Sequence, residues 1–380
     1  MPFSGIRKFF DVAKQIEDVV SLGIGEPDFD TPWNIREEAI YQLERGNTIY
    51  TSNAGLMELR EAISVYMRNN FSLYYRPADQ ILVTAGASED IDISLRAIVN
   101  PGDEVLLPEP CFVAYKPCIL MAGGVPVVIE TKAENDFRLT PGDILPRVTN
   151  KTKAILLSYP TNPTGAVMEK TDYERIANIF LERDILVISD EIYAELTYGS
   201  KHISIAALPG MAEQTIVIGG FSKAFSMTGW RLGYSCGPAE IINAMLKIHQ
   251  YILMCAPTVS QYAGVEALAG GMAGVRRMRE EYNARRRVMV NGFRAMGMDC
   301  FEPRGAFYVF PSIKKTGLSS EEFCTRLLFE EKVAVVPGNA FGASGEGFVR
   351  CSYAASMENL REALRRIKSF LRKLANEHGQ

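Results

Sequence analysis

The chain has 380 residues, 47% of them hydrophobic and 23% charged, which excludes a disordered or fibrous protein and predicts a large packed core divided between two domains. Its 41 Lys and Arg face 45 Asp and Glu, a net charge of −4 with no extended basic run, so nucleic acid is not an expected partner. Seven cysteines without C-x-x-C spacing, three histidines and no apolar signal core or membrane-length span point away from a disulfide framework, a zinc site and a membrane, and toward reduced thiols in the cytoplasm.

In chain order, the first punctuated segment is Ser21-Leu22-Gly23-Ile24-Gly25-Glu26-Pro27-Asp28-Phe29, followed by Asn47-Thr48-Ile49-Tyr50. Residues 80–84 predict a strand, which runs into Ala85-Gly86-Ala87-Ser88 and a helical pattern over 91–99. Small residues at a helix start let backbone amides approach an anion, although Ser88 can also be read as an ordinary helix cap. Runs 104–107 and 154–157 predict further strands. The second enters a loop, 158–165, where Pro160, Pro163 and Gly165 fix the single amide of Asn162, either as a donor or as a structural turn residue. A helix over 171–183 precedes the strand 185–188, which ends in Ser189-Asp190-Glu191-Ile192-Tyr193, where Asp190 suits a ligand cation or the cap of a following helix. The run 215–218 leads into Gly219-Gly220-Phe221-Ser222-Lys223, with Arg231 eight residues further on.

Nearly continuous apolar strands bounded by Gly, Pro or Asp, alternating with amphipathic helices, are what a mostly parallel sheet covered on both faces requires. Beyond about residue 275 the pattern becomes a long charged helix over 276–296, the segment 305–310, a helix over 320–331, the run 333–336 and a terminal helix from Met357. This reads as a smaller α+β domain. The expected division is an N-terminal segment, 1–45, joining the small domain; a large domain, 46–275; and a small C-terminal domain, 276–380.

A lone lysine reads as a solvated charge, but Lys223 follows a strand, at the sheet end where open α/β folds bind ligands. An amine that attacks carbonyls, an acid able to pair with a ring nitrogen, and anion donors at Ser222, Arg231 and the Ala87-Ser88 helix start together describe a site for pyridoxal phosphate.

These motifs, with Gly347-Phe348-Val349-Arg350-Cys351-Ser352-Tyr353 near the end, resemble the class I aminotransferases of pyridoxal phosphate fold type I along nearly the whole chain. The resemblance implies that Lys223 carries the cofactor covalently and, once displaced, moves the substrate's Cα proton. It implies that Asp190 sits on the ring nitrogen, Asn162 and Tyr193 on the phenolic oxygen, and Phe112 against the ring face. Gly86, Ala87, Ser88, Ser222 and Arg231 would hold the phosphate. Tyr50 would reach across from a neighbouring subunit, which makes a homodimer part of the site. Arg350 would grip the α-carboxylate, with Gly25 and Asn162 beside it.

The implied activity is transfer of an amino group from an L-amino acid to a 2-oxo acid such as 2-oxoglutarate. Ser88 stands where an aspartate-specific subgroup carries lysine, and the surroundings of Ile24 resemble aromatic and broad-specificity members. Aspartate and N-acetyl-diaminopimelate aminotransferases are the alternatives within the family, and a C–S β-lyase the alternative on the same fold. A non-catalytic cofactor sensor is weighed down by the retention of Lys223, Asp190 and Arg350.

Overall fold

A computed structural model describes residues 16–377; residues 1–15 and 378–380, which include parts of both expected terminal segments, lie outside it. After a two-residue strand, β1 (Val20–Ser21), seven strands form the central sheet: β2 (Ile81–Thr84), β3 (Glu104–Glu109), β4 (Val125–Glu130), β5 (Thr152–Ser158), β6 (Leu186–Asp190), β7 (Thr215–Gly220) and β8 (Gly233–Cys236). Their spatial order is β2-β8-β7-β6-β5-β3-β4; β8 runs antiparallel to both neighbours and every other pairing is parallel.

The expected α/β class is what the chain adopts. All five strands expected in this region are present. Two more, β4 and β8, carried too weak a signal: β4 is a half-exposed edge strand containing Pro126, and β8 buries Gly, Ser and Cys where an apolar run would ordinarily mark a strand. The expected single run 333–336 divides into β10 (Val333–Ala334) and β11 (Val336–Pro337), which follow β9 (Tyr308–Val309). β10 pairs with β1, whereas β11 joins β12 (Val349–Ser352) and β9 in a three-stranded sheet. Helices Met272–Ala295, Ser320–Glu331 and Met357–Glu377 cover these strands around a core that includes Tyr282, Phe293, Phe307, Phe323 and Phe370. The last helix buries Leu360, Ala363, Ile367, Phe370 and Leu374, the three- and four-residue spacing of one helical face.

Strand register positions the site. Ser158 lies opposite Asp190, Asp190 opposite Ile218, and Gly233 is shared between Gly220 and Thr84, so the segments leaving β2, β5, β6 and β7 emerge at one sheet edge. Gly233 is required there: a Cβ on it would lie 2.7 Å from the Gly86 Cα and from the Ala87 nitrogen. Among the described residues no helix is long and apolar enough to cross a membrane, and no His, Cys, Asp and Glu group could hold a metal. All seven cysteines are unpaired and buried.

Asp90 fastens the helix Ala87–Ile98 to the sheet. Fully buried, it accepts hydrogen bonds from the Thr84 and Ser235 hydroxyls, each at 2.6 Å, which tie the helix start to β2 and β8. Burial pushes its pKa well above the carboxylate range, against the pull of the two hydroxyls. A carboxyl that binds its proton more tightly when folded contributes most below the unfolded value and loses that contribution as pH rises through the folded value. Asp90→Asn keeps the shape and removes the titration, so its melting temperature should gain on that of the wild type as pH rises from about 4 toward neutrality. A constant difference across that range in thermal unfolding would show that Asp90 does not titrate there.

Candidate active site

A cavity of 1260 Å³ opens beyond the carboxyl ends of the parallel strands, and every residue expected in the site lines it except Gly86 and Tyr50. Gly86 backs one wall. It initiates the helix Ala87–Ile98 at φ 101°, and no side chain caps that end, so Ser88 is not the helix cap. The Ala87 and Ser88 amides are the first of the helix and have no partner within it. Arg231 lies against this turn: a Cβ on Gly86 would fall 2.8 Å from its Nη2, while its Nη1 donates to the Thr228 carbonyl at 2.9 Å. Arg231 has no carboxylate partner among the described residues, and the buried Ser222 hydroxyl lines the same cavity. Helix-start amides, a hydroxyl and an unpaired guanidinium make an anion site.

Lys223 leaves β7 and donates from Nζ to the Gly25 carbonyl at 2.6 Å. Burial pulls its pKa down to about 8; Glu26 opposes this, Arg350 and Arg231 reinforce it, and Asp190 opposes it. Asp190 closes the floor, accepting from the Tyr115 hydroxyl at 2.7 Å and from the Ile192 amide at 3.1 Å. The second bond is the local turn that a capping role predicts; the first reaches 75 residues along the chain. Burial pushes the Asp190 carboxyl up to about 6, with Tyr115 and Ile192 opposing. A cationic ligand group beside it would reverse that shift.

Arg350, on β12, is 4% exposed and lies with its guanidinium 4.4 Å from the Tyr308 ring centroid and 4.8 Å from that of Phe341. Its Nη1 donates to the Asn162 side-chain oxygen at 2.9 Å and its Nη2 to the Gly23 carbonyl at 2.7 Å, while Nε has no partner among the described residues. A guanidinium only donates, so Asn162 must face it with oxygen, which leaves the amide NH₂ as the group available to the cavity. Tyr193 meets Tyr308, their hydroxyl oxygens 2.9 Å apart. Phe112 lines the cavity and packs edge-on against Tyr115.

Gly25 has a structural reason to be glycine, since a Cβ there would lie 2.9 Å from the Tyr308 oxygen. Tyr50 is 75% exposed and outside its own chain's cavity. Sequence reasoning missed Tyr115 and Tyr308. A buried phenol must find a hydrogen-bond partner, but nothing local identifies partners so distant in sequence.

A family model described as aminotransferase class I and II matches residues 17–367. The Bacillus subtilis protein YugH, an aminotransferase by name, is 56% identical over 97% of this chain and 96% of its own length. An aspartate aminotransferase of Pyrococcus abyssi is 48% identical over 97% of this chain and 96% of its own. Among solved structures, the aromatic aminotransferase of Pyrococcus horikoshii superposes with a TM-score of 0.93 at 46% identity, covering 96% of this chain and 100% of that one.

A neutral amine is a nucleophile, so a depressed proton affinity would favour reaction of Lys223 with carbonyls. In ligand-free protein, trapping with a small aldehyde and a hydride reductant, read residue by residue by mass spectrometry, should label Lys223 with a midpoint near pH 8, because its pKa is pulled down to about 8. A midpoint in the range of the surface lysines would contradict the burial argument.

Proposed function

The chain belongs to the class I and II aminotransferases, pyridoxal phosphate-dependent enzymes of fold type I, and on that premise we propose that it transfers amino groups from aromatic or a broad range of L-amino acids to a 2-oxo acid such as 2-oxoglutarate. When bound, the cofactor supplies a carbonyl that an amine can attack and a protonated ring that draws electrons from the substrate's Cα. The residues present fit it. The anion site at Ala87, Ser88, Ser222 and Arg231 suits its phosphate, and the Gly86 wall leaves no room there for a side chain.

Asp190 suits the ring nitrogen: a buried carboxylate beside a cationic ring holds the ring proton in place. With its oxygen taken by Arg350, Asn162 would offer its NH₂ to the phenolic oxygen, with Tyr193 as the second donor. Phe112, which lines the cavity, would cover one ring face. Lys223 attaches the cofactor and, once released by substrate, takes and returns the proton at Cα. The observation that carries the reading is Arg350, a buried cation that among the described residues has only neutral partners and a free Nε, a position that a substrate α-carboxylate would complete by a bidentate pair.

Specificity follows from what remains. Lys223, Arg231 and Arg350 are the cations lining the cavity among the described residues, and each has a use, while Val19, Ile24 and Val113 give apolar wall and Ser88 adds no charge. This supports uncharged donor side chains; the names of the relatives span both aspartate and aromatic enzymes.

Exposed Ile49, Tyr50, Tyr251 and Ile252 support a homodimer in which Tyr50 reaches the partner's site. The Thr258 hydroxyl donates to the Ile49 carbonyl, which holds the two segments together. Seven unpaired cysteines support a cytoplasmic enzyme. The division at about residue 275 would separate the unit holding the cofactor from the one carrying Arg350.

An L-amino acid added alone to the holoenzyme should shift the cofactor's absorbance band and yield about one equivalent of 2-oxo acid per site, with aromatic donors ahead of aspartate. A band unmoved by every donor removes the transfer reaction, and steady release of pyruvate and ammonia without acceptor assigns a lyase instead. Lys223→Ala should still bind cofactor through the phosphate contacts and lose about 10³-fold or more in turnover. Near-normal turnover in that variant would take Lys223 out of the chemistry.

A further inference from the structure

The Tyr193 and Tyr308 hydroxyls lie 2.9 Å apart and are separated by 115 residues in sequence, and either could donate to the other. A phenol has one proton, so the direction of this bond decides what Tyr193 can offer the cavity. If Tyr193 donates to Tyr308, it faces the cavity as an acceptor only. If Tyr308 donates, the Tyr193 proton is free.

Two features set the direction. The Arg350 guanidinium lies 4.4 Å from the Tyr308 ring centroid, and a cation against the ring favours release of the phenol proton, making Tyr308 a strong donor. Burial raises the Tyr308 pKa and Arg350 is the first cause drawing it back, whereas Tyr193 is pushed well above its usual range, first by burial and then by Tyr308 itself, with Arg350 opposing only after these. The second feature is exclusivity. Neither hydroxyl has another hydrogen-bond partner among the described residues, and Gly25, where a Cβ would lie 2.9 Å from the Tyr308 oxygen, leaves that oxygen room to hold its place. The charged groups facing the pair are Arg350, Lys223, Asp190 and Glu26.

We infer that Tyr308 is a positioning residue that donates its proton to Tyr193 and so aims the Tyr193 proton at the cofactor's phenolic oxygen. The inference rests on the proposed placement of Tyr193 at that oxygen. A donor there draws off negative charge and lowers the proton affinity of the neighbouring linkage to Lys223, and a phenol that is itself receiving a hydrogen bond donates more strongly. The ring and the hydroxyl of Tyr308 thus have separate tasks, the ring supporting Arg350 and the hydroxyl polarising Tyr193.

The pH titration of the holoenzyme's absorbance separates these tasks. Tyr308→Phe keeps the ring, so the midpoint should rise by about half a pH unit and kcat should fall about 2- to 10-fold, with the donor KM held within about twofold. Tyr193→Phe should raise the midpoint further. Fluorotyrosine installed at position 308, a sharper donor of nearly the same shape, should lower the midpoint, and it serves as the test should Tyr308→Phe not fold. A midpoint unmoved or lowered in Tyr308→Phe, or unmoved or raised with fluorotyrosine, overturns the inference while a raised midpoint in Tyr193→Phe leaves the placement of Tyr193 standing. Midpoints unmoved in both phenylalanine variants overturn the inference and that placement together.

Discussion

A buried guanidinium with no carboxylate partner among the described residues is the constraint around which this molecule is arranged. Desolvating an isolated cation costs several kcal/mol unless its donors are met, and Arg350 meets that demand only in part. It spends two donors on the Asn162 oxygen and the Gly23 carbonyl, rests against the Tyr308 and Phe341 rings, and keeps Nε unused. Three regions distant in sequence are gathered by this one side chain: the segment after β1, the loop after β5, and strand β12. An anion delivered from the cavity would complete the arrangement, which supports the proposal of a carboxylate-bearing substrate.

The same burial sets the properties of the other two charges. Asp190 is pushed up to about 6 and Lys223 down to about 8, shifts of opposite sign with one leading cause, the removal of water from a charged group. The Lys223 shift is in the direction a nucleophilic amine requires, whereas the Asp190 shift is a cost of burial that a cationic ligand group beside it would reverse. Tyr115 keeps Asp190 from shifting further, and Gly25 offers Lys223 a carbonyl without a counter-charge. Neutral dipoles position these groups while leaving their charges available to a ligand.

Much of the fold was legible because a parallel sheet buried on both faces needs apolar runs, and β2, β3, β5, β6 and β7 have them. Strands β4 and β8 were not, for different reasons. β4 is an edge strand with little to bury, and β8 is stabilised by close backbone approach at Gly233 and by the Ser235 bond to Asp90, neither of which leaves an apolar pattern. The division of 333–336 into two strands was equally hidden, since the pairing partners β1 and β12 lie some 310 and 15 residues away in opposite directions.

For the site, the sequence by itself determined the chemical groups of four segments and the strand ends from which they emerge: Lys223 after β7, Asp190 at the end of β6, Asn162 after β5 and the Gly86-Ala87-Ser88 helix start after β2; Arg350 entered through the family resemblance, and its strand, β12, was not expected. Residue type and local punctuation suffice for those four segments, because a glycine turn, a proline loop and a strand terminus are short-range features. Only the tertiary structure decided which way these groups face. The Asn162 amide is oriented by an arginine 188 residues away, Asp190 by Tyr115, and Tyr193 by Tyr308; the first and third are buried hydrogen bonds between the central and the three-stranded sheet, and the second joins the central sheet to a helix packed on it. Hydrogen-bond direction depends on which donor meets which acceptor in space, and a linear sequence carries no record of that meeting.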